Sequence, residues 1–128
     1  MDSKFSPQVR GIISYSREEA LRIGNDFIGI EHLLLGTLRE GDCTGLKVLS
    51  NLNVDLHSLR HELESVLKVK GNKVIENANS LPLTKQAENV MKITSLEAKS
   101  LKSTLVESEH LILSILRNRE NSATQILS

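Results

Sequence analysis

The sequence writes one helix twice, as "IEHLLLGTLRE" at 30–40 and "SEHLILSILRN" at 108–118. A core asks only for apolar residues at helical spacing, so the recurrence of Glu-His-Leu needs a further cause. Laid on itself at an offset of 78, the chain aligns Ser6–Ser50 with Thr84–Ser128 without a gap and with eleven identities in 45 positions. Among them are Glu19/Glu97, Ala20/Ala98, Glu31/Glu109, His32/His110, Leu33/Leu111 and Arg39/Arg117. Pairs such as Ile12/Val90, Phe27/Leu105 and Ile28/Val106 keep the apolar phase between them. A tandem structural repeat accounts for this register. Whatever the first unit folds into, the second must be able to adopt as well.

Each unit reads as helical. Ser6 is an N-cap and Pro7 suits the first helical position, where a missing N–H costs nothing. Val9, Ile12, Ile13, Ala20 and Ile23 follow a helical period up to Gly24-Asn25. A second helix is expected over Ile30–Glu40, ended by Gly41, and a third over Thr44–Leu52 with Leu46, Val48, Leu49 and Leu52 apolar. Asp55 can cap a fourth, whose stripe Leu56, Leu59, Leu63, Val66 and Leu67 is cleanly amphipathic. "KVKGNKVIENANSLP" has no steady period and reads as a connection. The second unit restarts at Thr84, with helices expected over Lys85–Leu101, Glu109–Arg119 and Ser122–Leu127.

The expected fold class is therefore all-α, a pseudo-two-fold duplicated helical bundle with about four helices per repeat. Residues 1–128 form one domain, with the first repeat over about 5–68, a linker over about 69–83 and the second repeat over about 84–128. The counterpart of the fourth helix would fall beyond Ser128, so it is expected to be missing, leaving apolar surface on the second unit.

Composition removes several functions. A hydrophobic fraction of 39% and a charged fraction of 25% fit a soluble globular domain. Lys+Arg and Asp+Glu both number 16, without the basic excess of a nucleic-acid binder. Phe5, Tyr15 and Phe27 are too few aromatics for base stacking. Cys43 has no second cysteine to pair with and suits a reducing compartment. With no secretory or membrane-spanning apolar run, the expected location is cytoplasmic. His57 and His61 share a helix face but make only two ligands, so no metal site is expected. No G-x-x-x-x-G-K-[ST] is present, hence no ATP site and no cofactor in this chain.

The stretch "FSPQVRGIISYSREEALRIGNDFIGIEHLLLGTLREGD" resembles the first motif of the Clp N-terminal domain, the double-repeat module of ClpC-, ClpA- and ClpB-type AAA+ unfoldases. ClpC is the nearest in character. The second repeat departs from the pattern, with Lys102, Glu107 and Ser114 where the first has Gly24, Gly29 and Gly36. Before "EH" the family typically has Thr, and this chain has Ile30 and Ser108. The first repeat thus loses a hydroxyl N-cap and is left with Gly29.

The resemblance implies a monomeric binding module without chemistry of its own, docking substrate and adaptor proteins. The parent would supply the ATPase modules, with their ATP, and would feed the ClpP peptidase. In ClpC relatives the residues matching Glu31 and Glu109 contact the guanidinium of phosphoarginine, which a carboxylate can receive through two parallel N–H bonds. Ser6 and Thr84 open long helices whose first N–H groups favour an anion such as the phosphoryl group. The bland reading of both glutamates is complementarity to a helix dipole, worth roughly 0.3–1 kcal/mol. His32 and His110 read as hydrogen-bonded packing residues that anchor the loop before the helix, and Arg39 and Arg117 as cations meeting a C-terminal dipole. The rival function is a purely structural helical repeat without a ligand pocket.

Overall fold

The computed structural model describes residues 5–70 and 81–117, in which six helices form. They are α1 (Pro7–Ile23), α2 (Ile30–Glu40), α3 (Thr44–Asn51), α4 (Leu56–Lys70), α5 (Lys85–Ser100) and α6 (Ser108–Arg117). The helix expected over Ser122–Leu127 lies outside the described residues. α4 runs through Val69 and Lys70, two residues into the expected linker. No helix among the described residues is long and apolar enough to cross a membrane.

The caps follow local chemistry. Ser6 Oγ accepts from Val9 N–H, and Thr84 Oγ1 does the same from Ala87 N–H. Asp55 Oδ1 accepts from His57 and Ser58 N–H at 3.0 and 3.2 Å, opening α4. The Ser58 bond chiefly holds the Asp55 carboxyl below its ordinary range, so this cap is complete above about pH 3.8 and lost as pH falls through the lower folded value.

Duplication is visible in the crossings between repeats. Phe5 pairs with Val106 and Leu83 pairs with Ile28, each as an isolated bridge. Ser6 N–H donates to Val106 O at 2.9 Å, and Thr84 N–H to Ile28 O at 3.0 Å. The offset of 78 turns one crossing into the other with the partners exchanged. Such reciprocity defines a two-fold relation, as in an isologous interface.

Between the crossings lies one core, in which Ile12, Leu33, Leu34 and Leu63 share a cluster with Val90, Leu111, Ile112 and Ile115. α2 is its centre: every residue from Ile30 to Thr37 is buried, including Glu31 and His32. A helix buried on all sides cannot hold a polar side chain unless that side chain finds a partner. In α3, Leu46 and Leu49 face inward, whereas Leu52 is exposed because the helix has ended.

Arg39 and Arg117 do more than meet a dipole. Each reaches back to the repeated glutamate of the preceding long helix, Arg39 to Glu19 at 3.4 Å and Arg117 to Glu97. Glu19, with a side chain only 2% exposed, also takes Arg22 at 3.0 Å and Arg60 at 3.2 Å. It ties α1 to α2 and α4, and its hydrogen bond is the main reason the Arg22 guanidinium is held above its ordinary value. Arg39 also lies over the Tyr15 ring, 4.8 Å from its centroid.

The long helices end alike with unlike residues. Asn25 N–H donates to Ala20 O and Ser103 N–H to Ala98 O, both at 2.9 Å, which requires the preceding residue to be left-handed. Gly24 meets this at φ 89° without a penalty; Lys102 is forced to φ 57°.

Lys102→Gly is expected to stabilise the chain by about 0.5–1 kcal/mol in denaturant unfolding, the relief of a left-handed side chain less the added freedom of the unfolded glycine. Glu19→Gln should cost about 1–3 kcal/mol, because it removes charge from a buried hub whose arginines are half exposed. Glu97→Gln, whose partner is 65% exposed, should cost less than about 1 kcal/mol in the same assay.

Candidate functional site

The repeated histidines build the entry to the second helix of each unit. Gly29 N–H donates to His32 Nδ1 at 2.9 Å, and Glu107 N–H donates to His110 Nδ1 at 2.9 Å. An Nδ1 that accepts from an amide must carry its lone pair, so each ring keeps its proton on Nε2. His32 Nε2–H then donates to Asn25 Oδ1 at 2.8 Å, and Asn25 Nδ2 donates to Leu67 O at 3.2 Å. This relay joins the α1–α2 loop, the start of α2 and the last turns of α4. In the second unit Ser103 replaces Asn25 and turns its hydroxyl to Leu105 O at 2.6 Å. Both histidines are thus loop anchors.

Ser108 stands one position beyond the N-cap, at the first residue of α6. Its Oγ accepts from Gly45 N–H at 2.8 Å and so serves α3, whose own N-cap, Cys43, offers no side-chain bond. The missing hydroxyl at Ile30 therefore removes no N-cap from α2; Gly29 is the N-cap and His32 bonds back to it. Gly45 fits against α6 because it has no side chain: a methyl there would lie 2.8 Å from Ile112 Cγ1. Cys43 is buried and free, His57 and His61 are exposed, and no cluster fit for a metal occurs among the described residues.

Of the four candidate ligand residues, Ser6 and Thr84 lie at the two crossings, and Glu31 and Glu109 in the first helical turns that follow the partner segments. Thr84 comes from the second repeat and Glu31 from the first, yet Gly29 borders both. A methyl added to Gly29 would lie 2.8 Å from Glu31 Oε1 and 3.7 Å from Thr84 Cγ2, with Phe27 Cε2 at 3.6 Å. At the other crossing Ser6 is bonded to Val106, and that segment leads into the first turn of α6 and Glu109. Thr84 therefore lies beside the loop that leads to Glu31, and Ser6 beside the segment that leads to Glu109, each in the opposite repeat.

The two crossings differ chemically. Thr84 is half-buried, while Ser6 is 1% exposed. α5 begins with Lys85 and Gln86, whose N–H groups have no acceptor within the helix; α1 begins with Pro7, which has no N–H. Glu31 is packed over Gly29 at 7% exposure. Glu107 carries its side chain at the equivalent place, and Glu109 is only half-buried.

Along the pseudo-two-fold, between the crossings, a cavity of about 480 Å³ is lined by Phe5, Arg10, Ile13, Ile28, Leu33, Leu83 and Met91. Phe5/Leu83 and Ile13/Met91 are offset partners, so each repeat contributes a like wall. Sequence comparison could not reveal this cavity, because an offset shows which residues are equivalent and not which ones meet.

The family described as "Clp repeat (R) N-terminal domain" matches residues 4–128. Chloroplastic chaperone protein ClpC2 of Oryza sativa is 34% identical over 127 residues, covering 99% of this chain and 14% of its own length. Chaperone protein ClpB of Oceanobacillus iheyensis is 30% identical over 128 residues, covering 100% of this chain and 15% of its own length. The chain thus spans about a seventh of these relatives. The N-terminal domain of the ClpD chaperone from Arabidopsis thaliana has the same fold, with a TM-score of 0.76 at 20% identity, covering 98% of this chain and 83% of that one.

His32→Ala is expected to cost roughly 2–4 kcal/mol, since it leaves the Gly29 N–H and Asn25 without their buried partner. Nitrogen-15 spectra of the histidine rings should show the Nε2–H form at both His32 and His110. An Nδ1–H signal at either would contradict the anchoring bonds.

Proposed function

Because the chain belongs to the Clp repeat N-terminal domain family, we propose that it recruits substrate and adaptor proteins for a ClpC-like, ATP-dependent unfoldase that works with the ClpP peptidase. On this reading, ATP binding and hydrolysis reside in the rest of the parent. The module acts as a monomer without metal or cofactor, in the cytoplasm, a compartment suited to its free thiol.

The ligand we assign is phosphoarginine on a tagged protein, and the observation that supports it is that the Glu31 carboxylate and the Thr84 side chain, from opposite repeats, both border Gly29. Glu31 offers two oxygens to a planar guanidinium. The first turn of α5 offers the Thr84 hydroxyl, the Lys85 and Gln86 N–H groups and the positive end of a helix to the phosphoryl group. The apolar cavity on the pseudo-two-fold supplies walls for residues flanking the modified side chain. Ser6 and Glu109 form the lesser site: Pro7 removes a donor, Ser6 is buried, and Glu107 adds negative charge where a phosphoryl group would approach.

Glu31→Gln should weaken calorimetrically measured binding of a phosphoarginine peptide about ten- to a hundredfold, the equivalent of about 1.5–3 kcal/mol for a lost charged hydrogen bond. Glu109→Gln should weaken it less, and an unmodified arginine peptide should bind poorly throughout. Unchanged affinity in the double variant would return both glutamates to the helix dipole and favour a structural repeat that only holds an assembly together.

A further inference from the structure

The outer surface lacks the symmetry of the core. Among the described residues, the exposed large apolar side chains are Ile93, Leu96, Leu101 and Leu105 on the second repeat and Leu83 just before it, against Leu52 alone on the first. Leu96, 64% exposed, and Leu105 border a groove of about 730 Å³ between the outer face of α5 and the loop leading to α6. Lys92 and Lys99 line the same groove, with the hydroxyl residues Ser103 and Thr104 at its end. No carboxylate lines it, and neither lysine has a carboxylate partner among the described residues.

Nothing in the shared fold calls for this surface. At the positions of Lys92, Leu96, Lys99 and Leu105 the first repeat has Ser14, Glu18, Leu21 and Phe27. There Glu18 is held by Arg39 at 3.1 Å, so the charge at that place is already paired. The second repeat instead exposes a leucine between two cations that have no carboxylate partner among the described residues.

We propose that this groove docks an extended acidic segment of a partner protein, an apolar side chain seated against Leu96 and Leu105 and carboxylates meeting Lys92 and Lys99. This rests on the recruiting role proposed above and names the chemistry of one partner surface; it does not involve the Glu31–Thr84 site. Spacing defines the segment further. Lys92 and Lys99 are seven residues apart, about 10.5 Å along a helix, a distance an extended chain spans in about three residues. The matching pattern is acidic, apolar, any residue, acidic.

The test is titration of the chain with a fluorescein-labelled peptide centred on Asp-Leu-Ala-Asp, with amide shifts recorded by NMR. Controls carry Lys in place of both Asp, or Ser in place of Leu. Shifts should concentrate at Lys92, Leu96, Lys99 and Leu105, and the control peptides should bind at least about tenfold more weakly. The Lys92→Glu/Lys99→Glu double variant, altered only at exposed positions, should lose at least about tenfold in affinity, while Ser14→Glu on the first repeat changes nothing. Equal binding of the basic peptide, shifts confined to other surfaces, no binding, or occupation of the groove by a second copy of the chain would each overturn the proposal. A phosphoarginine titration run in parallel separates the two readings: loss of one binding with retention of the other sinks that reading alone.

Discussion

Everything else in the domain depends on the two backbone crossings that exchange the repeats. The segments 5–6 and 83–84 are extended and lie at the entrance to long helices, where the N–H groups of Ser6 and Thr84 have no partner within their own unit. They find one in the other repeat, Ser6 N–H on Val106 O and Thr84 N–H on Ile28 O. An unpaired buried amide costs about 1–3 kcal/mol, so neither helix start can settle until the opposite loop is in place. The crossings also fix where α2 and α6 begin, and those first turns carry the glutamates. The proposed ligand site would be incomplete in either repeat alone.

Inside this frame the symmetry is kept where it holds the fold and lost where it meets solvent. Both histidines cap from Nδ1, and both long-helix glutamates receive the arginine at the end of the next helix. The first unit adds the Asn25–Leu67 link and two further arginines around Glu19, because α4 is there to be tied down. Divergence gathers at the margins. Lys102 occupies a left-handed position, Glu107 stands where Gly29 leaves room, and Leu96 faces water where Glu18 is paired. A duplicated core with two unlike exteriors can hold two unlike partners.

Much of the fold was legible because its causes are local. Ser6-Pro7, Thr84, Asp55 and Gly41 cap or end helices through their own side chains or backbone freedom. The offset of 78 carried the duplication, and the role of the histidines as loop anchors followed from their repetition. What escaped depends on separation in space. Position alone points Arg39 and Arg117 to helix dipoles, although their glutamates, Glu19 and Glu97, stand in the same set of identities; joint repetition of an acid and a base is the signal that pairs them. The position of Ser108 before "EH" suggests a cap of its own helix, whereas its hydroxyl caps α3 across the repeat boundary. Equivalence between Ser6 and Thr84 gave no hint that each sits with the other repeat's loop, because an offset is blind to whether copies stack or exchange. Leu52 continued an apolar pattern past the point where α3 could bury it.

The proposed sites are composite, and a double-mutant cycle on phosphoarginine affinity tests that proposal directly. Glu31→Gln and Thr84→Val come from different repeats but border the same glycine. Their effects should be non-additive by about 0.5–3 kcal/mol, as expected of residues that hold one ligand. Glu31→Gln combined with Ser6→Ala, drawn from one repeat but from opposite crossings, should be additive within about 0.3–0.5 kcal/mol. Coupling of Glu31 to Ser6 with none to Thr84 would contradict the exchange of repeats as the basis of the site.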